Sequence, residues 1–185
     1  MIPPDLAARL ARYSRETLSL PGFAESAVLV PIVIAGDVAS LLFTVRRSDL
    51  RTHAGQVSFP GGKRDPSDVD LITTALRETE EELGIPRARV EVLGTLDDVP
   101  TPSSFVITPI VGILRGAITV MPQPTEVAET FSCSLTDLAD PVNYRDGGTR
   151  TWQDVSYTMH EYLIGGRRIW GATARMVHQL LALSS

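Results

Sequence analysis

The chain is built from blocks of apolar residues separated by short polar breaks. Residues 27–34 are almost wholly apolar and rich in β-branched side chains, as in a strand buried on both faces. Residues 39–45 repeat that character after Gly36-Asp37, so the two runs predict a hairpin. Upstream, Leu6, Leu10 and Tyr13 recur at helical spacing and predict a helix over 5–16, broken before Pro21-Gly22. Residues 1–25 thus read as an N-terminal helical extension. Further strands are predicted over 90–95, 105–114, 129–134, 157–164 and 168–169, with a helical turn over 135–138. Asp146-Gly147-Gly148 reads as a loop or hairpin turn, and residues 170–183 as a closing amphipathic helix. Strands and helices are mixed without strict alternation. The class expected is α/β (α+β), a single domain over 1–185 with a mixed β-sheet covered by helices.

One segment does not fit a purely structural pattern. Phe59-Pro60-Gly61-Gly62 reads as the opening of a loop, and Ser67 as a helix cap with Asp70 three residues on. The helix is expected to run over 67–83 and stop at Gly84, with Pro86 close behind. Ile72, Leu76, Thr79 and Leu83 form a stripe that can face a core. Glu78, Glu81 and Glu82 fall together on another face. Like charges at this spacing destabilise an exposed helix by about 0.2–0.5 kcal/mol per pair. Acidic groups near a helix C-terminus also oppose the dipole. A divalent cation with oxygen ligands removes both conflicts. An acidic run alone is usually a solvated face, here with Arg77 and Glu81 as an ion pair. Gly61-Gly62 ahead of it favours the cation, because glycine lets backbone approach an anion or offer a carbonyl.

Composition narrows the partners. The formal net charge is −5, which argues against a broad basic surface for duplex nucleic acid. It leaves room for an anionic small molecule held by local arginines and a cation. No apolar stretch reaches the roughly 18–20 residues of a membrane span, and Met1-Ile2-Pro3-Pro4-Asp5 lacks a signal-peptide pattern. Cys133 stands alone, so no internal disulfide forms. A reducing, cytoplasmic setting is the expectation.

Arg77-Glu78-Thr79-Glu80-Glu81-Glu82-Leu83-Gly84-Ile85 resembles the second half of the Nudix box, with Thr79 in place of a bulky apolar residue. The box spans about 62–85. Its first half departs: Gly62 plus six is Asp68 rather than Glu, and one extra residue precedes Arg77. Asp65 and Asp70 rival Asp68 for the role of the first acidic residue. Upstream, Leu42-Phe43-Thr44-Val45-Arg46-Arg47, Arg51, Gly55 and Phe59-Pro60-Gly61-Gly62 resemble the signature of the coenzyme A pyrophosphatase branch, with Phe43 and Arg47 departing. Thr101-Pro102-Ser103, Ile107-Thr108-Pro109, Glu126-Val127 and residues 169–175 extend the likeness.

The resemblance implies a Nudix-type α/β/α sandwich. It also implies hydrolysis of the pyrophosphate bond of coenzyme A or a derivative, giving 3′,5′-ADP and 4′-phosphopantetheine. Glu78, Glu81, Glu82 and Glu126 become the candidate ligands for Mg²⁺ or Mn²⁺, with Glu129 as rival to Glu126. Glu78 stands open as ligand, base or both, and a Gly61 or Gly62 carbonyl as a further ligand. Arg77 is expected to orient a box carboxylate. Arg46 and Arg51 are candidates to bind substrate phosphates, and Gly61 and Gly62 are candidate substrate-binding residues beside them. Arg47 reads as an ordinary surface arginine, His53 as a loop residue without a paired ligand, and Trp152 and Trp170 as packing residues. The partner expected is a small nucleotide-type molecule, with a homodimer left open. The competing substrates are ADP-ribose, a nucleotide sugar or a dinucleoside polyphosphate. The competing function is a nucleotide-sensing module without catalysis.

Overall fold

The computed structural model describes residues 5–47, 55–152 and 155–184. Helix α1 (Leu6–Arg12) buries Leu6 and Leu10 and carries Arg9 and Arg12 in its last turn, where cations suit the dipole. It is shorter than the sequence predicts. The Tyr13 hydroxyl donates to Asp97 (2.9 Å), and the Glu16 N–H donates to the same carboxylate (2.8 Å). These tertiary partners draw the chain out of the helix after Arg12.

Strands β1 (Ala24–Ala35) and β2 (Val38–Arg46) form the expected hairpin, with Ala35 opposite Val38 and Ile32 opposite Leu41. Short strands β3 (Val57–Ser58) and β4 (Gly61–Lys63) follow, then helix α2 (Leu71–Leu83). Next come β5 (Glu91–Thr95), β6 (Val99–Pro100), β7 (Phe105–Arg115) and β8 (Val127–Ser134), then helix α3 (Leu135–Ala139). Strands β9 (Tyr144–Trp152), β10 (Val155–Ile164) and β11 (Arg167–Trp170) lead into helix α4 (Gly171–Ser184).

The larger sheet has the path β3-β2-β1-β7-β5, with β4 on β1, β6 on β7 and β8 on β2. It is mixed, because β1 and β7 run parallel from Ala24 opposite Phe105 to Ile34 opposite Arg115. Alternate residues of β1 serve opposite faces. Ala27 and Leu29 pack with Ala75 of α2, whereas Val30 and Ile32 join a core with α1 and α4. That double burial explains why the strand reads as continuously apolar. The N-terminal helix is therefore part of the main core rather than an appendage.

The second sheet has the order β11-β10-β9. Asp146-Gly147-Gly148 is not a turn, as predicted, but lies within β9, where the register shifts opposite Thr158 and His160. A Cβ on Gly147 would stand 2.9 Å from that of Met159, so glycine here admits a close neighbouring strand. Among the described residues, no helix is long and apolar enough to cross a membrane.

Candidate active site

Helix α2 starts at Leu71, later than the expected Ser67. The true cap is Asp70, whose side chain accepts from the Thr73 N–H (2.7 Å). Ser67 is held in a turn instead, donating from its N–H (2.8 Å) and hydroxyl (2.6 Å) to Asp65. At the other end Gly84 adopts the left-handed conformation (φ 65°), the usual glycine stop. The carbonyls of Leu83 and Glu82 then accept from the N–H groups of Met121 (2.8 Å) and Gln123 (2.7 Å). A strap formed by residues 121–127 is thereby fastened to the helix C-terminus.

The buried face of α2 is Thr74, Ala75, Thr79, Glu82 and Leu83. Ile72 and Leu76 are only half-buried, so the expected stripe is rotated. The rotation carries Glu82 inward. Thr79 tolerates full burial because its hydroxyl donates to the Ala75 carbonyl (2.7 Å).

Gly61 and Gly62 lie in β4, paired with Val28 and Ala27, rather than in a loop. A Cβ on Gly61 would stand 2.3 Å from the Ala27 carbonyl oxygen. A Cβ on Gly62 would stand 2.5 Å from Cδ of Glu78, so that carboxylate rests on bare backbone. The Gly61 N–H donates to Oε2 of Glu82 (3.2 Å). The glycine pair and two of the predicted carboxylates thus form one constellation.

Arg77 organises the polar side. Its Nε and Nη2 donate to the two oxygens of Asp68 (3.0 and 2.9 Å), and its Nη1 donates to Glu78 (2.9 Å) and Glu81 (3.1 Å). Asp68 is buried and also accepts from the Asp65 N–H and the Thr74 hydroxyl, each at 2.9 Å. These donors, the Arg77 guanidinium foremost, hold its carboxyl well below the usual range. Asp68 therefore binds the arginine, whereas Asp65 makes a turn and Asp70 caps the helix. Helix α2 is regular throughout, so the extra residue is absorbed ahead of it, where Val69 is left exposed.

Burial pushes the Glu82 carboxyl up to about 7, with the charges of Glu126 and Glu78 adding and the Gly61 N–H and Arg46 partly offsetting. Burial likewise raises Glu78, against the opposing pull of Arg77. Glu126 is exposed at the end of the strap, and its charge is felt at both Glu78 and Glu82. Its rival Glu129 is occupied by an ion pair with Arg167. The candidate side chains are all carboxylates, and that oxygen chemistry suits a hard divalent cation. Among the described residues, no group of three or more His, Cys, Asp or Glu side chains is arranged to hold a metal ion. Arg77 draws Glu78 and Glu81 to itself, while Glu82 faces the Gly61 N–H.

Arg46 ends β2, and its charge reaches Glu82. Among the described residues, its buried Nε has no hydrogen-bond partner. Arg51 and His53 lie outside the described residues, as does the side chain of Trp152. Cys133 is buried in β8, as expected. Trp170 is partly exposed beneath the Arg168 guanidinium. The strap's ties to α2 run between main-chain atoms, which leave no residue-type signal, and Arg47, expected to be an ordinary surface arginine, donates from Nη1 to the Pro124 carbonyl (2.7 Å).

The NUDIX domain model matches residues 25–153. The chain is 41% identical over 157 residues to an uncharacterized Nudix hydrolase, NudL, of Photorhabdus laumondii, covering 84% of this chain and 82% of that one. It is 39% identical over 161 residues to the NudL protein of Pectobacterium atrosepticum, covering 84% and 80%. In fold it resembles the Ap4A hydrolase of C. elegans in a binary complex, with a TM-score of 0.51 and 21% identity over 62% of this chain and 82% of that one. This chain belongs to the Nudix family. Within that family it is a hydrolase, a pyrophosphohydrolase.

Proposed function

We propose that this enzyme hydrolyses the pyrophosphate bond of coenzyme A or one of its derivatives, releasing 3′,5′-ADP and 4′-phosphopantetheine. The observation that carries this is Arg46. Among the described residues its buried Nε has no partner, a costly state for a charged donor, and its charge reaches Glu82. An anionic phosphate would satisfy it through a charge-assisted hydrogen bond. Arg46 also stands at the spacing from Gly61-Gly62 that the coenzyme A signature requires.

Glu78, Glu81, Glu82 and Glu126 would hold Mg²⁺ or Mn²⁺, with a Gly61 or Gly62 carbonyl completing the shell. A bound divalent ion supplies charge neutralisation of the phosphoanhydride and a lowered water pKa. The protein supplies the rest. Arg46, with Arg51 as candidate partner, binds phosphate oxygens. Arg77 would keep Glu78 oriented from its anchor on Asp68, and Glu81 would exchange its Arg77 contact for the ion. Water adds to one phosphorus, the bridging P–O bond breaks toward the other phosphate, and a box carboxylate takes the proton. Glu78, half-buried with a raised proton affinity, is suited to that acceptance.

The test is product identification after incubating the protein with coenzyme A, dephospho-coenzyme A or ADP-ribose and Mg²⁺, with a chelator control. Preferred turnover of coenzyme A to 3′,5′-ADP is expected, abolished by chelation. Clear preference for ADP-ribose would remove the coenzyme A assignment while leaving the pyrophosphohydrolase intact. A ligand response retained in full by Glu82→Gln would point to sensing instead of turnover.

A further inference from the structure

We infer that Arg47 is a positioning residue that sets where Glu126 stands relative to the carboxylates of α2. The inference rests on Glu126 acting as a metal ligand. Arg47 follows β2 and grips the strap twice. Its N–H donates to the Glu126 carbonyl (3.2 Å), and its Nη1 donates to the Pro124 carbonyl (2.7 Å). The second is a short, charge-assisted hydrogen bond, of the stronger kind.

The sheet cannot do this job by itself. Strand β8 pairs with β2 in regular register from Ser134 opposite Ser40 to Glu129 opposite Val45, and then slips, placing Val127 opposite Arg46. The ladder is therefore irregular just where the strap enters. On its far side the strap is anchored by the Gln123 N–H on the Glu82 carbonyl (2.7 Å), and the Glu126 and Val127 N–H groups fold back onto the Gln123 carbonyl (3.1 and 2.9 Å). Glu126 thus sits between two ties. One leads to the peptide group of Glu82, and the other leads to Arg47. Removing the Arg47 side chain leaves the first tie and the Arg47 N–H contact, but frees the Pro124 turn to move. Glu126 itself is exposed, so its position follows the main-chain ties of the strap.

The experiment uses the full chain with Arg47→Ala and Arg47→Lys, and Glu126→Gln as control. Mn²⁺ binding is read without substrate, from the electron paramagnetic resonance of free ion. Hydrogen exchange of peptides over 121–127 and 71–83 is read without metal. Arg47→Ala should weaken Mn²⁺ binding about tenfold, as loss of an outer orienting contact does. It should speed exchange over 121–127 and leave 71–83 protected. Arg47→Lys, which keeps a cationic donor, should recover much of the affinity. Adding Arg47→Ala to Glu126→Gln should weaken binding no further, since both act through one ligand. Unchanged Mn²⁺ affinity in Arg47→Ala, with Glu126→Gln weakened, overturns the inference alone. Unchanged affinity in Glu126→Gln overturns the ligand role of Glu126 and the inference with it. A raised KM for coenzyme A at unchanged Mn²⁺ affinity would make Arg47 a substrate contact instead. Should Arg47→Ala not fold, Arg47→Met keeps the aliphatic stem and serves in its place.

Discussion

The helix side of the site and the strap side are built in opposite ways. On α2, Glu78, Glu81 and Glu82 are set by helical spacing and held by Arg77, Asp68 and the Gly61 N–H, most of them partly or fully buried. On the strap, Glu126 is exposed and placed by main-chain hydrogen bonds and by Arg47. The contrast separates two ways of fixing a carboxylate. One uses side chains in low dielectric, where each group perturbs its neighbours strongly. The other uses backbone geometry in water, where charges are screened.

The largest effect is expected at Glu82. Glu82→Gln should lower turnover at least a hundredfold, on the order expected for loss of a central acid–base or ligand group, measured under saturating Mg²⁺ and coenzyme A. The same change should stabilise the metal-free protein at alkaline pH. Burial pushes the folded carboxyl up to about 7 from an ordinary 4.5, so the folded state binds the proton more tightly. Stability from this group is fully present below about 4.5, falls as pH rises through about 7, and stays low above. Urea unfolding at pH 8 in chelator should show Glu82→Gln more stable by on the order of 1–3 kcal/mol. A loss of stability there would contradict the burial argument.

Asp68→Ala comes next. It leaves Arg77 without its bidentate partner in a mostly buried site, and should destabilise the fold by about 2–4 kcal/mol. Denaturant titration checks this, and turnover should fall with it as Glu78 loses its orientation. The two glycines then separate fold from chemistry. Gly61→Ala drives a Cβ into the Ala27 backbone and should cost about 2–3 kcal/mol of stability. Gly62→Ala meets first the movable end of Glu78, so stability should drop by about 1 kcal/mol or less. Activity of Gly62→Ala should nevertheless fall by an order of magnitude or more. The smallest effect is expected on the strap: Glu126→Gln should weaken Mn²⁺ binding about tenfold with little change in melting temperature.

The same contrast governs what could be read from the sequence. The helix carboxylates were legible because a helix converts spacing into geometry, and the run from Arg77 to Ile85 states that spacing outright. The buried β1–β2 hairpin was legible from its uniform apolarity. The start of α2 was not, because Ser67, Asp68 and Asp70 are all plausible cap residues. Only the tertiary position of Arg77 sorts them into turn, ion-pair partner and cap. Asp146-Gly147-Gly148 was misread because two adjacent glycines serve a strand bulge as well as a turn. Glu126 is a candidate by resemblance alone, since nothing local in residues 121–127 signals that its amides close the end of a helix.

That closure has a consequence for how the protein tolerates change. The ties from Met121 and Gln123 to Leu83 and Glu82 run between peptide groups, so most side-chain replacements at those two positions leave them standing. Proline at 121 or 123 would delete a donor. A single inserted or deleted residue would shift every tie at once. Spacing along this stretch is therefore under tighter physical constraint than the identity of the residues that fill it.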